Sequence, residues 1–285
     1  MSKTKIEWAT HTWNPVVGCS KVSEGCRNCY AERIHSARHK GWREGWENAP
    51  KQYHRPFEEV QFYWHRLHEP HTWRKARRVF CCSMSDLFHS SLLDSDIITL
   101  LNTMEDVNAN RIHGGKEPHT FIVLTKRAER MREVVNSWLR GFELNRLPQI
   151  QNIWFGVSVE NQEAADERIP HLLDISAPAP IVRFISAEPL LGPVDLGLTG
   201  TAPGGRYEPV GNRLSWIIVG GETGVDARQM RPEWARNLRD QAVEAGIPFF
   251  FKQWGEYDEE GRRVGRRKAG RLLDGREWNE FPEVE

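Results

Sequence analysis

Three cysteines fall within eleven residues, in the run W-N-P-V-V-G-C-S-K-V-S-E-G-C-R-N-C-Y from Trp13 to Tyr30. Cys19, Cys26 and Cys29 have the spacing C-x6-C-x2-C, and Gly18 and Gly25 free the backbone beside the first two. Thiolates this close in sequence can converge on one metal centre. Three chemistries compete for them. A structural zinc site closes a tetrahedron with four ligands, and His11 or His35 would be the fourth. A four-cysteine [4Fe–4S] site has no fourth cysteine nearby. A three-cysteine [4Fe–4S] cluster leaves one iron open to a substrate or cofactor. Unrelated buried cysteines are a poor account of three such rare residues set among glycines. The other two, Cys81 and Cys82, sit next to each other in a predicted strand, so their side chains should face opposite ways and not act together.

The elements that must position these residues are readable downstream. Short β-rich apolar runs recur at Val79–Met84, Phe121–Thr125, Ile153–Val159, Ile181–Ser186, Trp216–Val219 and Pro248–Phe251. Their spacing is that of βαβ units, and their two-sided hydrophobicity is what a buried parallel sheet requires. Between them, Asp94 and Ser95 can cap a helix running to about Asn108. Lys126–Trp138 has helical periodicity, and Asn161 can cap a helix beginning at Gln162. Pro232 suits the first turn of a helix that Gly246 ends. A first strand is expected near Thr12–Val17, leading into the cysteine loop. The prediction is an α/β fold, a partial (β/α) barrel of about six to seven parallel strands. Residues 1–254 form the barrel, 31–78 are a basic aromatic helical insertion, and 255–285 are a small C-terminal appendage with a hairpin around Gly270 to Gly275. Residues 188–214, rich in Gly and Pro, read as a loop or hairpin excursion.

Composition narrows the class. With 285 residues, 39% hydrophobic and 27% charged, the chain can build one large core. Its formal net charge of zero argues against a general polyanion-coating protein. No signal-peptide pattern opens the sequence and no run is apolar enough for a membrane span. Five cysteines is an odd count, so metal or redox chemistry is favoured over a disulfide framework, and a cytoplasmic protein is expected.

In a barrel of this kind chemistry belongs at the C-terminal strand ends. Those ends supply Ser83, Ser85 and Asp86; Thr125 and Lys126; Ser158, Glu160 and Asn161; Glu188; Gly220, Gly221 and Glu222; and Lys252 and Gln253. Each has a plainer reading. Asp86 also reads as a turn cap before Leu87, and Asn161 as a helix cap. Lys126 and Lys252 would pair with Glu188 or Glu222, and the two glycines would make a tight turn.

The segments WNPVVGC (13–19), GCRNCYAER (25–33), SMSDLFH (83–89), FIVLTKR (121–127), GVSVEN (156–161), ISAEPLLGP (185–193), VGGETG (219–224) and FFFKQWGE (249–256) resemble the phage-associated Gp37/Gp68 family, a three-cysteine-motif, DUF5131-like group. They run in order along nearly the whole chain. That family resembles radical S-adenosylmethionine (SAM) enzymes, with spore photoproduct lyase a distant relative that also carries Tyr after its last cluster Cys, as Tyr30 follows Cys29. The usual radical SAM spacing is C-x3-C-x2-C with an aromatic residue before the third Cys. Here the first gap is longer and Asn28 stands in that place.

The resemblance implies a [4Fe–4S] cluster on Cys19, Cys26 and Cys29 and a SAM cofactor cleaved to a 5′-deoxyadenosyl radical. It implies that Ser83 and Asp86 lie where the methionine amino group is met. Ser158, Glu160 and Asn161 would suit the ribose hydroxyls, while Glu188 and Glu222 belong to the same ring. Gly220 and Gly221 would admit adenine or substrate to the backbone. A flavodoxin- or ferredoxin-type electron donor, no membrane association and a monomer are expected with it.

Residues 31–78 carry eleven Lys or Arg against six Glu, with six histidines and four tryptophans. Such interleaving suits nucleic-acid backbone contact and base stacking. It suits a solvated helical insertion better, with Trp42, Trp46, Trp64 and Trp73 as its own small core, because the net charge is zero and no nucleic-acid motif is present. The expectation is a radical SAM enzyme whose substrate the sequence does not name, a nucleic acid or nucleotide being one candidate; the alternative is a non-catalytic, zinc-stabilised nucleic-acid-binding phage protein.

Overall fold

The computed structural model describes residues 2–142, 149–177, 180–198 and 214–283. The chain opens with strands β1 (Ser2–Lys3), β2 (His11–Trp13) and β3 (Val16–Val17), followed by helix α1 (Tyr30–Arg43) and strand β4 (Gln61–Phe62). Strand and helix then alternate: β5 (Arg78–Cys81), α2 (Asp94–His113), β6 (Thr120–Thr125), α3 (Ala128–Arg140), β7 (Ile153–Ser158), α4 (Gln162–Leu173), β8 (Arg183–Ala187), β9 (Trp216–Gly220), α5 (Pro232–Glu244), β10 (Phe249–Gln253) and the short α6 (Arg266–Ala269).

One sheet runs β1-β2-β5-β6-β7-β8-β9-β10. Seven of its strands are parallel neighbours, and only β1 is antiparallel, to β2. The sheet curls into a half-barrel with helices outside it, as expected of βαβ alternation. Two apolar layers hold it. The outer layer sets alternate strand residues such as Val123, Phe155, Ile185 and Val219 against Leu100, Met131, Val135, Ile169 and Leu238 of the helices. The inner layer fills the curl with Trp8, Phe80, Ile122, Trp154, Phe184, Trp216, Ile218 and Phe250. Gly156 faces this interior, and a Cβ there would lie 2.4 Å from the Phe184 ring. The missing side chain is what lets the aromatic filling close.

Further along the same inward faces the residues turn polar. Ser158 on β7 pairs in register with Ser186 on β8, Glu188 follows β8, and Lys252 lies on β10. The half-barrel therefore has an apolar floor and a polar mouth at its C-terminal strand ends.

Three local departures from the expected elements have physical causes. β5 stops at Cys81, where a strand to Met84 was predicted, because Cys82 adopts φ 57° and turns the chain into the mouth. α2 starts at Asp94 with no side-chain cap from Leu93, and runs on to His113. In residues 31–78 only part of the aromatic set forms a core. Tyr53, Phe57 and Trp73 are buried, whereas Trp46 and Trp64 are exposed.

Of the 188–214 stretch, residues 188–198 form neither helix nor strand and 199–213 lie outside the described residues. The C-terminal segment has the expected hairpin, with Leu273 bridged to Arg276 across Asp274 and Gly275, both at positive φ. Among the described residues no helix is long and apolar enough to cross a membrane.

Candidate functional site

The cysteine loop lies across the mouth and is fastened to the ends of four strands. Gly18 starts it at φ 97°, where a Cβ would strike the carbonyls of Phe57 and Glu59 at 2.8 and 2.7 Å. Its amide donates to Met84 O at 3.0 Å, and the Cys19 amide donates to Phe57 O at 2.9 Å. Beyond β6, Arg127 donates to Ser20 O and Oγ at 3.1 and 3.0 Å and reaches Cys19 Sγ at 3.7 Å. Beyond β7, Glu160 accepts from Ser23 Oγ. Gly25 admits this carboxylate, because a Cβ there would sit 2.9 Å from it. Beyond β9, Glu222 accepts from Asn28 Nδ2 at 3.0 Å, and Arg228 donates to Glu24 O at 2.8 Å. Cys29 then becomes the N-cap position of α1, and the Tyr30 hydroxyl donates to Ser83 O at 2.6 Å.

Each carboxylate in the mouth already holds a cation. Asp86 meets Arg127 at 3.1 Å, Glu188 meets Lys252 at 2.5 Å, and Glu222 meets Arg228 at 2.6 Å. Glu160, behind the loop and 1% exposed, meets Arg168 at 2.8 Å and Lys126 at 3.6 Å. Burial alone would raise the Glu160 pKa. Lys126, Arg168 and the Ser23 hydroxyl overcome it and hold the group down to about 2. The same balance, of burial against Arg228 and Asn28, leaves Glu222 lowered.

Asp86 is saturated. Its Oδ1 accepts from the Phe88 amide at 2.9 Å and Thr125 Oγ1 at 2.7 Å; its Oδ2 accepts from the Lys126 amide and Arg127 Nη1, both at 3.1 Å. An ionised carboxylate has about four acceptor positions, so none remains for an incoming amino group.

Cys19, Cys26 and Cys29 line one cavity of about 590 Å3 with Ser83, Asp86, Ser158, Glu188, Gly221 and Glu222. Asn161, Glu160 and Gly220 are not on its wall. Asn161 caps α4, accepting from the Ala164 amide at 2.9 Å. The glycines serve the protein's own packing. A Cβ on Gly221 would fall 1.9 Å from Trp254 O, and one on Gly220 would press the Glu188 carboxylate at 3.3 Å. Ser85 donates to Gly18 O at 2.5 Å and so belongs to the loop anchor.

Sequence reasoning missed Arg127 and Arg228, the two guanidiniums that tie loop to strand ends. Their signal was position alone, in T-K-R directly after β6 and in D-A-R within the loop that follows β9. The buried, unpartnered Ser186 hydroxyl on the cavity wall was also missed.

Burial first, and then the charge of Asp86, push the Cys19 thiol up to about 11 against the opposing pull of Arg127. Burial raises Cys29 as well, offset in part by the Glu32 and Ala31 amides opening α1. Metal binding must therefore release protons from these thiols. Among the described residues no group of three or more His, Cys, Asp or Glu side chains is arranged to hold a metal ion. A single tetrahedral zinc needs its donors within about 4 Å of one another. A four-iron cluster instead takes its thiolates on separate irons. Cys19, Cys26 and Cys29 share one cavity wall, on which every lining carboxylate is already engaged by a cation. The two histidines considered as fourth ligands lie elsewhere. His35 is buried with Nε2 on Arg55 O at 2.9 Å, and His11 contacts Thr10 Oγ1; neither lines the cavity.

A family model described as a protein of unknown function, DUF5131, matches residues 3–282. No curated protein and no solved structure matches the chain.

Proposed function

We propose that this chain, which belongs to the DUF5131 family, is a radical SAM-type iron–sulfur enzyme whose cluster is held by Cys19, Cys26 and Cys29. The observation that carries the reading is the placement of these thiols. All three face one cavity at the C-terminal mouth of seven parallel strands, and no carboxylate lining it is free to become a fourth ligand. When bound and reduced by an external one-electron donor, a [4Fe–4S] cluster with one open iron would pass that electron to SAM, whose C5′–S bond would break to leave methionine and a 5′-deoxyadenosyl radical.

The chain's own share is positioning and shielding. Arg127, Glu160 and Arg228 fix the loop against the strand ends, so the sulfurs are presented from a braced element. The aromatic floor from Trp8 to Phe250 closes the half-barrel behind the site and keeps water from a reactive species. With Asp86 saturated and Asn161 capping a helix, the polar wall left for a cofactor is Ser158, Ser186 and the Glu188–Lys252 pair.

The test is anaerobic reconstitution with iron and sulfide, followed by incubation with SAM and dithionite. A brown protein that forms 5′-deoxyadenosine, with both lost in Cys26→Ala, is the expected result. One equivalent of zinc with no bound iron after anaerobic purification would overturn the proposal in favour of a zinc-stabilised binding protein.

A further inference from the structure

Helix α1 buries Ala31 and His35 on one side. Tyr30, Arg33, Ile34 and Arg38, at positions i, i+3, i+4 and i+8, line the cavity on another. Tyr30 and Ile34 remain 39% and 38% exposed. The Tyr30 ring is pinned, because its hydroxyl is spent on Ser83 O at 2.6 Å while the ring stays open. The two arginines are also held in place. Arg33 lies against Gly224 and donates to Thr223 O at 3.4 Å, and Arg38 donates to Tyr53 OH with its guanidinium 5.0 Å from that ring.

Neither arginine has a carboxylate partner among the described residues. This sets them apart from Lys126, Arg127 and Lys252 in the same cavity, each neutralised by an acid. Two fixed, uncompensated guanidiniums beside a rigid exposed aromatic ring call for an anion attached to a flat group. SAM does not answer that description, since its sulfonium and ammonium outweigh its one carboxylate. Deeper in the cavity the Ser186 hydroxyl is 1% exposed and has no partner, so the wall beyond the cysteines also awaits a polar group.

We infer that the cavity takes a nucleotide unit as substrate, its phosphate on Arg33 and Arg38 and its base against Tyr30 and Ile34, with the reacting part directed towards Ser186. This rests on the enzyme reading above for the reaction, though not for the binding. The source is either a free nucleotide or a single strand of nucleic acid, and both present the same phosphate and base.

Binding is measured by anisotropy on the full chain, with fluorescein-labelled single-stranded DNA and RNA of about 12 nucleotides, and with nucleoside 5′-monophosphates as unlabelled competitors. The paired variant Arg33→Gln/Arg38→Gln is expected to weaken binding at least about tenfold. It should also flatten the dependence of log K on log salt by about 0.7 for a strand, the loss of one neutralised phosphate. Lys40→Gln/Arg43→Gln, on the same helix but off the cavity wall, should leave affinity within about twofold.

Competition by monophosphates at the affinity of the strand assigns the site to free nucleotides; much tighter strand binding assigns it to nucleic acid. Absence of binding by every probe, undiminished binding in the Arg33/Arg38 variant, or equal loss in the Lys40/Arg43 variant each overturns the inference. Formation of 5′-deoxyadenosine by the wild-type protein is scored separately. A positive there with no nucleotide binding sinks the substrate assignment alone, and the reverse sinks the enzyme proposal alone.

Discussion

Asp86 shows how a residue in the right place can be spent before any ligand arrives. Its position after β5 is legible in the sequence, and so is its plainer role as a turn cap, since Phe88 N donates to it. What the sequence does not display is Arg127, some forty residues on, which meets Asp86 at 3.1 Å and reaches Cys19 and Ser20 with the same guanidinium. An arginine after a strand reads as a solvated charge until the fold brings a buried acid to it. Glu160 was legible as a strand-end candidate, but its role as an anchor of the cysteine loop was hidden, because its partners Ser23, Lys126 and Arg168 come from three separate elements. Asp86→Asn replaces a carboxylate that accepts four hydrogen bonds, three of them from N–H groups, with an amide that has one accepting oxygen and a donating NH2, and it leaves Arg127 uncompensated. Breaking a buried pair from one side costs about 3–5 kcal/mol. A fall of that size in urea-unfolding free energy, with reduced iron uptake on reconstitution, is the expected outcome. Unchanged stability would mean that water replaces the clamp without penalty.

At the scale of elements the sequence was informative for strands and less so for what lies between them. Strands apolar on both faces have no other stable home than a covered parallel sheet, and all six downstream runs became strands of it. Boundaries shifted where a backbone torsion decided them, as at Cys82. Glycines were legible as places of close approach but not as to what approaches. Gly221 admits the Trp254 carbonyl and Gly156 admits the Phe184 ring, and neither makes room for a ligand. The two make an ordered prediction. In Gly156→Ala the methyl meets a ring that can tilt, so a cost of about 1–3 kcal/mol is expected. In Gly221→Ala it meets a backbone oxygen 1.9 Å away, which moves only if β9 and the loop after β10 separate. Gly221→Ala should therefore be the more damaging of the two in thermal unfolding. The opposite order would show that the β9–β10 end is loosely held.

The whole molecule carries as many acidic as basic residues, and the fold spends that balance at the mouth, where acid meets base pair by pair. It also closes its open edge without a further strand. Phe281 packs on Trp216 at 5.3 Å between centroids, the Phe251 amide donates to Trp278 O at 3.0 Å, and Arg266 meets Glu7 of the β1–β2 loop at 2.7 Å. The appendage read from composition thus finishes the half-barrel, a role that no local pattern announces.

Acid should undo this molecule in two stages, for a reason that can be traced to named groups. His119, fully buried, is lowered from 6.5 to about 4 by burial first and then by Arg111 and Arg77. The folded protein resists its protonation, while the unfolded chain accepts the proton near pH 6.5. Stability is therefore full above that pH and falls as the pH drops towards 4, by about 3 kcal/mol. His35 and His89 are lowered too and act in the same direction. Glu160, held at about 2 from an ordinary 4.5, works in a lower window. Its contribution is complete above 4.5 and is lost as the pH falls through 2. Urea midpoints taken from pH 7.5 to 3 should decline first through the histidine window and then through that of the carboxylate. His119→Leu should flatten the first decline and leave the second in place. A variant that keeps the wild-type slope between pH 6.5 and 4.5 would remove His119 as its cause and point to the remaining histidines.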